Sequence, residues 1–170
     1  MNAASRDRHP EFERLCMLKE ENRAKIEEIK KKYPDVKAAL LPALWVAQEQ
    51  EGWISEEMMK EIGTLLELPF GHVLGVVTFY TMFNAKPVGT FHIEVCTNAS
   101  CLLRGSDKIL QKVEYVCGAK VGQTSADGKW TVDEVECMGA CGGAPMLAIG
   151  EEYYENLTPE KTEALLRKLI

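Results

Sequence analysis

From Glu11 to Lys32 charged residues surround sparse apolar positions at Phe12, Leu15, Leu18, Ile26 and Ile29. Their steps of three or eight fall on one narrow helical stripe, which predicts a solvated helix resting lightly on the rest of the chain. Residues 1 to about 10 are polar and predict a frayed end. Tyr33-Pro34 breaks the pattern. Ala38 to Gln50 is an apolar helical stretch in which Leu40, Leu41, Leu44, Trp45 and Ala47 can share one broad face. Pro42 lies inside it, so the helix starts near Leu41 or kinks there. Ser55-Glu56-Glu57 reads as an N-cap with acid in the first turn, opening a helix to about Leu66. Leu68-Pro69 ends that helix, and the apolar density of Phe70 to Phe79 predicts a third short one, weakened by Gly71 and Gly75. Residues 11–85 read as all-helical.

The period changes after Asn84-Ala85-Lys86-Pro87-Val88-Gly89, a linker by composition. Phe91, Ile93 and Val95 alternate with His92 and Glu94, which predicts a strand. Leu102 to Val116 follows, with Leu103, Ile109, Leu110 and Val113 at near-helical spacing. Ala126-Asp127-Gly128-Lys129 is a turn between extended segments. Trp130, Val132 and Val135 then give a second strand running towards Cys137, and Pro145 to Ile149 a third. Gly150-Glu151-Glu152 turns the chain before Tyr153-Tyr154-Glu155. Thr158-Pro159-Glu160 is an N-cap with proline at N1, opening a final helix to Ile170. The order β-α-β-β-α makes the second half a small α/β layer.

Composition narrows the function classes. Of 170 residues, 46% are apolar and 27% charged, a globular rather than a disordered balance. No apolar run approaches the ~20 residues a spanning helix needs, so no direct membrane insertion is expected. The start, MNAASRDRHPEFERL, has no apolar stretch of a signal peptide, and nothing points to secretion. The net charge is −6, with residues 1–32 contributing +2 and the remainder −8. That acidic body argues against nucleic acid as a partner.

Six cysteines, at 16, 96, 101, 117, 137 and 141, carry the chemistry. In a reducing compartment, clustered cysteines are metal ligands or redox groups before they are disulfides. Cys96 and Cys101 follow the first strand, Cys137 and Cys141 follow a later extended segment, and a sheet can bring four thiols on such loops to one point. Gly139, Gly142 and Gly143 let the backbone approach a bulky inorganic body. Four convergent thiolates mean zinc or an iron–sulfur cluster. Gaps of four and three residues favour a body larger than one ion, while zinc, which tolerates gaps up to four, stays open. There is no Cys-x-x-Cys for a thioredoxin-type dithiol. A Rieske centre needs histidine ligands, and His9, His72 and His92 all lie away from the cysteines. Cys117, at a helix end beside Gly118, reads as a buried or half-buried structural thiol, and Cys16 as incidental. Trp45, Trp53 and Met58-Met59 read as helical core.

Cys-x4-Cys after a strand, followed by Val-Glu-Cys-Met-Gly-Ala-Cys-Gly-Gly-Ala-Pro at 135–145, resembles the thioredoxin-like [2Fe–2S] ferredoxin family. That family includes small subunits of NADH-quinone oxidoreductase (respiratory complex I) and of NAD-linked hydrogenases and formate dehydrogenases. In the helical half, Tyr33-Pro34, Leu41-Pro42-Ala43-Leu44, Gln48, Gly52-Trp53-Ile54 and Val76-Val77-Thr78-Phe79-Tyr80 resemble its N-terminal domain. The likeness covers about residues 24–170. It implies an α+β fold, an N-terminal helical bundle followed by a thioredoxin-like α/β domain carrying the cluster. The implied divisions are a polar extension at 1–23, a helical domain at 24–85 and a thioredoxin-like [2Fe–2S] domain at 90–170.

All four ligand positions of the family are present, so the resemblance implies Cys96, Cys101, Cys137 and Cys141 as ligands of one [2Fe–2S] cluster. It also implies a flavoprotein partner that binds FMN and NADH, with this chain passing single electrons as a subunit and not catalysing alone. The chain has neither Gly-x-Gly-x-x-Gly nor Gly-x4-Gly-Lys-[Ser/Thr], the common nucleotide-binding loops. A complex I subunit of this kind is expected at the cytoplasmic face of the inner membrane, peripherally. The same module in a soluble hydrogenase or formate dehydrogenase remains open, as does a zinc-stapled interaction module without redox activity.

Overall fold

The structure, a computed structural model, describes residues 17–169. The residues expected at the frayed end, the first part of the predicted first helix with Phe12 and Leu15, His9, Cys16 and the terminal Ile170 lie outside the described residues. The chain divides into two compact units, with the boundary between Pro87 and Val88.

The first unit is helical. Its helices are α1 (Glu20–Lys30), α2 (Leu40–Glu51), α3 (Glu56–Leu65) and α4 (Phe70–Phe79), with a 3-10 turn over Val36–Ala39. Helix α1 is anchored more firmly than its charge suggests. Ile26 is fully buried, Leu18 just before the helix nearly so, and Arg23 pairs with Glu61 while Lys30 reaches Glu67 at 2.9 Å. Burying one such isoleucine contributes about 1.5–3 kcal/mol, which outweighs a charged helix's preference for water. Pro42 is the third residue of α2, inside the first turn, where its missing N–H has no intrahelical partner to lose. The helix therefore begins ahead of the proline. Gly52 closes it in the left-handed conformation. The Ser55 side chain accepts the Met58 N–H at 3.0 Å, capping α3 as expected.

The core of this unit joins Ile26, Leu40, Leu44, Ile54, Met58, Ile62 and Leu66. Gln48 bridges its edge, donating to the Met82 carbonyl at 2.8 Å and accepting from the Asn84 N–H at 2.7 Å. Met58 and Met59 are core, Trp53 is half-buried, and Trp45 is 41% exposed, its ring tilted against Phe83 with centroids 5.5 Å apart. Helix α4 has no charged residue, yet only Val73 and Val77 are buried in it, and Phe79 is 76% exposed.

The second unit is a five-stranded mixed sheet in the order β2-β3-β1-β4-β5. Its strands are β1 (Phe91–Cys96), β2 (Gln123–Thr124), β3 (Trp130–Val135), β4 (Leu147–Ile149) and β5 (Glu152–Tyr154). The expected three strands are the central ones; β2 and β5 are added at the edges. β1 runs parallel to β3, with Cys96 opposite Val135, and antiparallel to β4, with Val95 opposite Leu147. Ile93, Val95, Val132 and Leu147 share one core with Ile109 and Val113 of α6 (Ser106–Cys117) and Leu166 of α7 (Pro159–Arg167).

The predicted helix over Leu102–Val116 is two helices. A short α5 (Ala99–Leu103) closes with Arg104 N–H on the Cys101 carbonyl and Gly105 N–H on the Leu102 carbonyl, and α6 starts afresh at Ser106. Thr158 caps α7 through the Lys161 N–H at 3.3 Å, with Pro159 at its first position. Among the described residues no helix is long and apolar enough to cross a membrane.

Candidate metal centre

Because β1 and β3 are parallel and in register at Cys96 and Val135, both strands leave the sheet at the same end. The Thr97 N–H donates to the Val135 carbonyl at 3.1 Å, and the Cys96 thiol to the Glu136 carbonyl at 2.8 Å. Cys137 therefore emerges beside Cys96. The antiparallel β4 starts at this end too, and the Met146 carbonyl accepts the Cys96 N–H at 3.3 Å. Cys96, Cys101, Ala144 and Met146 form a small apolar cluster of their own, with Met138 and Ala140 packed against it.

The two thiol pairs are built differently. Cys96 is the last residue of β1 and Cys101 sits inside α5, whose N-terminus Asn98 caps by accepting the Ala99 N–H at 2.6 Å. Both thiols are buried, while the next residues, Leu102 and Leu103, are exposed. Cys137 and Cys141 lie on the loop after β3 and are exposed. Their sulfurs stand 3.5 Å apart. Gly139, at φ +81°, turns the loop so that its N–H donates to Cys137 Sγ at 3.4 Å. Gly143 has no room for a side chain, because a Cβ there would fall 2.8 Å from Glu155 Cβ and closer still to its carboxyl group.

Electrostatics tie the four sulfurs together. Burial, then the hydrogen bond with Cys96, pushes the Cys101 thiol up to about 11, and charges on Cys96 and Cys141 add to the rise. Cys141 is raised by its hydrogen bond to Cys137 and by that group's charge, and Cys96 contributes as well. Cys137 moves the other way, because the Gly139 N–H and then the Cys141 contact favour its thiolate. Negative charge on Cys96 and Cys137 thus disfavours ionisation at Cys101 and Cys141, a repulsion that a bound metal cation would relieve. Among the described residues no three His, Cys, Asp or Glu side chains gather tightly enough to hold one metal ion. The thiols stand instead as two pairs at one end of the sheet, and four thiolates are a donor set that can hold a two-iron cluster. The residues fit a [2Fe–2S] cluster.

The remaining candidates fall elsewhere. Cys117 is buried in the sheet–helix core, its thiol pushed up to about 12 by burial and by Asp127. His72 is exposed on α4. His92 is half-buried and pairs with Asp133 at 2.6 Å, an interaction that holds the Asp133 carboxyl below its usual range. Sequence reasoning did not single out Glu134 and Glu136, which precede Cys137 and accept hydrogen bonds from Thr97 and Asn98 between the cysteines of the first pair. Their approach depends on the parallel register of β1 and β3.

A family model, thioredoxin-like [2Fe–2S] ferredoxin, matches residues 26–170. The chain is 46% identical over 146 residues to the E subunit of NADH-quinone oxidoreductase from Rickettsia bellii (strain RML369-C), covering 84% of this chain and 87% of that one. It is 38% identical over 144 residues to the E 2 subunit of NADH-quinone oxidoreductase from Rhizobium meliloti (strain 1021), covering 85% and 86%. In fold it is similar to a crystal structure of NAD+-reducing [NiFe]-hydrogenase in the H2-reduced state, with TM-score 0.65 at 22% identity. That likeness covers 80% of this chain and 22% of the longer one.

Proposed function

The chain belongs to the thioredoxin-like [2Fe–2S] ferredoxin family, and from that premise we propose that it is the one-electron subunit of a complex I-type NADH dehydrogenase. In this reading Cys96, Cys101, Cys137 and Cys141 hold one cluster, with residues 24–85 as a helical domain, 90–170 as the cluster domain and 1–23 as an extension. The observation that carries it is the delivery of two cysteine pairs to one end of the sheet by the parallel register of β1 and β3. A [2Fe–2S] cluster takes and gives one electron at a time and supplies no hydride chemistry.

The chain's own residues set the conditions for that exchange. Cys96 and Cys101, with Ala144 and Met146, form a buried apolar wall on one side. Cys137 and Cys141 bring the other side to the surface, where an electron can leave. The Gly139 N–H donates to sulfur and stabilises its negative charge. The partner in this reading is a flavoprotein subunit with FMN and NADH, consistent with relatives named as subunits of NADH-quinone oxidoreductase. Exposed Phe79, Tyr80, Met82 and Trp45 offer apolar surface for a subunit interface. The assembly would place the chain peripherally on the cytoplasmic face of the inner membrane.

Anaerobically purified protein is expected to contain two irons and two acid-labile sulfides per chain. NADH is expected to reduce the cluster only when the flavoprotein is added. Stoichiometric zinc with no sulfide overturns the reading.

A further inference from the structure

Side chains as well as backbone join the loops that carry the two cysteine pairs. The Thr97 hydroxyl donates to Glu134 Oε1 at 2.6 Å, and Asn98 Nδ2 donates to Glu136 Oε2 at 3.0 Å. Several carboxylates held in place have a cation beside them: Glu61 has Arg23, Glu67 has Lys30, Glu114 has Lys120 and Glu163 has Lys112, whereas Glu152 is held by the neutral Tyr154 hydroxyl. Among the described residues, Glu134 and Glu136 form no such ion pair. Neutral donors hold them, and no cation among the described residues is paired with their charge. Glu136 is joined to Cys137 by a peptide bond, and its carbonyl lies 2.8 Å from Cys96 Sγ. Its backbone thus touches both thiol pairs.

We propose that Glu134 and Glu136 are positioning residues that lower the cluster's affinity for an electron. The proposal rests on the [2Fe–2S] reading above. Four thiolates and two sulfides around two ferric ions give a formal charge of about −2, and one electron makes it about −3. A fixed carboxylate nearby opposes that added charge more than it opposes the oxidised state. The Thr97 and Asn98 bonds keep the carboxylates at the strand end, where a free glutamate would swing into water and be screened. Both are exposed, so each charge is expected to change the reduced-to-oxidised ratio about threefold at a given potential.

The test is an equilibrium dithionite titration of the loaded chain, followed by electron paramagnetic resonance, with iron and sulfide measured on each sample. Glu134→Gln and Glu136→Gln remove charge but keep an oxygen for the Thr97 or Asn98 donor. Each single variant is expected to be about threefold more reduced at the wild-type midpoint. The double variant is expected to be about tenfold more reduced, ~59 mV for a one-electron couple. Thr97→Val leaves the Glu134 charge but frees it, and is expected to move the midpoint the same way by less. Fully loaded variants with the wild-type midpoint, or with a lower one, overturn the proposal. If the double variant does not load, the two single variants decide by the same criterion. Wild-type protein with zinc and no sulfide instead overturns the cluster reading, and this proposal with it.

Discussion

Cys96–Cys101 and Cys137–Cys141 are pairs of similar spacing in nearly opposite surroundings. Regular structure carries the first: a central strand ends on one cysteine and a capped helical turn points the other inwards. The second lies on a loop in which Cys141 opens a three-residue 3-10 turn, and its shape depends on Gly139 in the left-handed region and on a bare backbone at Gly143. Burial follows from this difference. Strand and helix satisfy their own backbone polar groups and can sit deep, whereas a loop keeps more of its polar backbone towards water. The acid–base character of the thiols follows in turn, with Cys101 raised by burial and Cys137 lowered by a backbone N–H. In the proposed reading, one centre would thus combine a side closed to solvent with a side open to exchange.

The strongest test of this contrast asks whether it matters for ligation. Cys101→Ala and Cys137→Ala are both expected to abolish the visible absorption of the cluster, despite their different burial. Cys117→Ala, at a thiol as deeply enclosed as Cys101, is expected to leave the spectrum unchanged. Bleaching by Cys117→Ala with colour retained in Cys101→Ala would reverse the assignment.

A smaller but still large effect is expected in the chelator-stripped chain treated with iodoacetamide and mapped by mass spectrometry. Only the thiolate reacts, so a lowered thiol reacts at lower pH and a raised one waits for higher pH. Cys137 is expected to react with a midpoint below that of an ordinary thiol. Cys117, pushed up to about 12, should stay nearly inert through pH 9. At pH 8 the two rates should differ by roughly tenfold or more. Equal rates would erase the contrast between loop-borne and element-borne thiols.

The smallest effect concerns the loop backbone. Gly139→Ala forces a side chain into the left-handed region and is expected to cost about 1–2 kcal/mol in urea unfolding of the loaded chain. Gly142→Ala, whose Cβ would meet nothing within 4 Å, is expected to fall within about 0.5 kcal/mol of wild type. Equal losses at the two positions would mean that the loop's turn does not depend on Gly139.

Much of this architecture is legible in the chain. Alternation at Phe91, Ile93 and Val95 marks β1, Ser55 and Thr158 mark two helix starts, and Phe70–Phe79 is a helix as its apolar density predicts. Strands β2 and β5 are not legible, because two or three residues are too few for a period and are strands only through their neighbours. The break at Gly105 is hidden because the apolar spacing of Leu103, Ile109 and Val113 runs across it. Trp45 fits the broad apolar face of α2 by spacing, yet the core lies on the sector of Leu40, Ala43, Leu44 and Ala47. The cysteine spacing marks the candidate centre, but which pair is buried depends on what packs over each loop. The approach of Glu134 to Thr97 is likewise invisible, since residues 37 apart meet only through strand register.

The outer strands of the sheet have a consequence for self-recognition. β2 offers two residues and β5 three, one of them Glu152. A strand arriving from another copy of the chain would find few free amide and carbonyl groups to copy its pairing from, and a carboxylate on one side. Ladder growth from either border would end almost as soon as it began. The long β1 is enclosed between β3 and β4, and β3 carries β2 on its outer edge at Thr131 and Val132. The sheet that brings the cysteines together thus ends, at both borders, on strands too short to pair far with another copy.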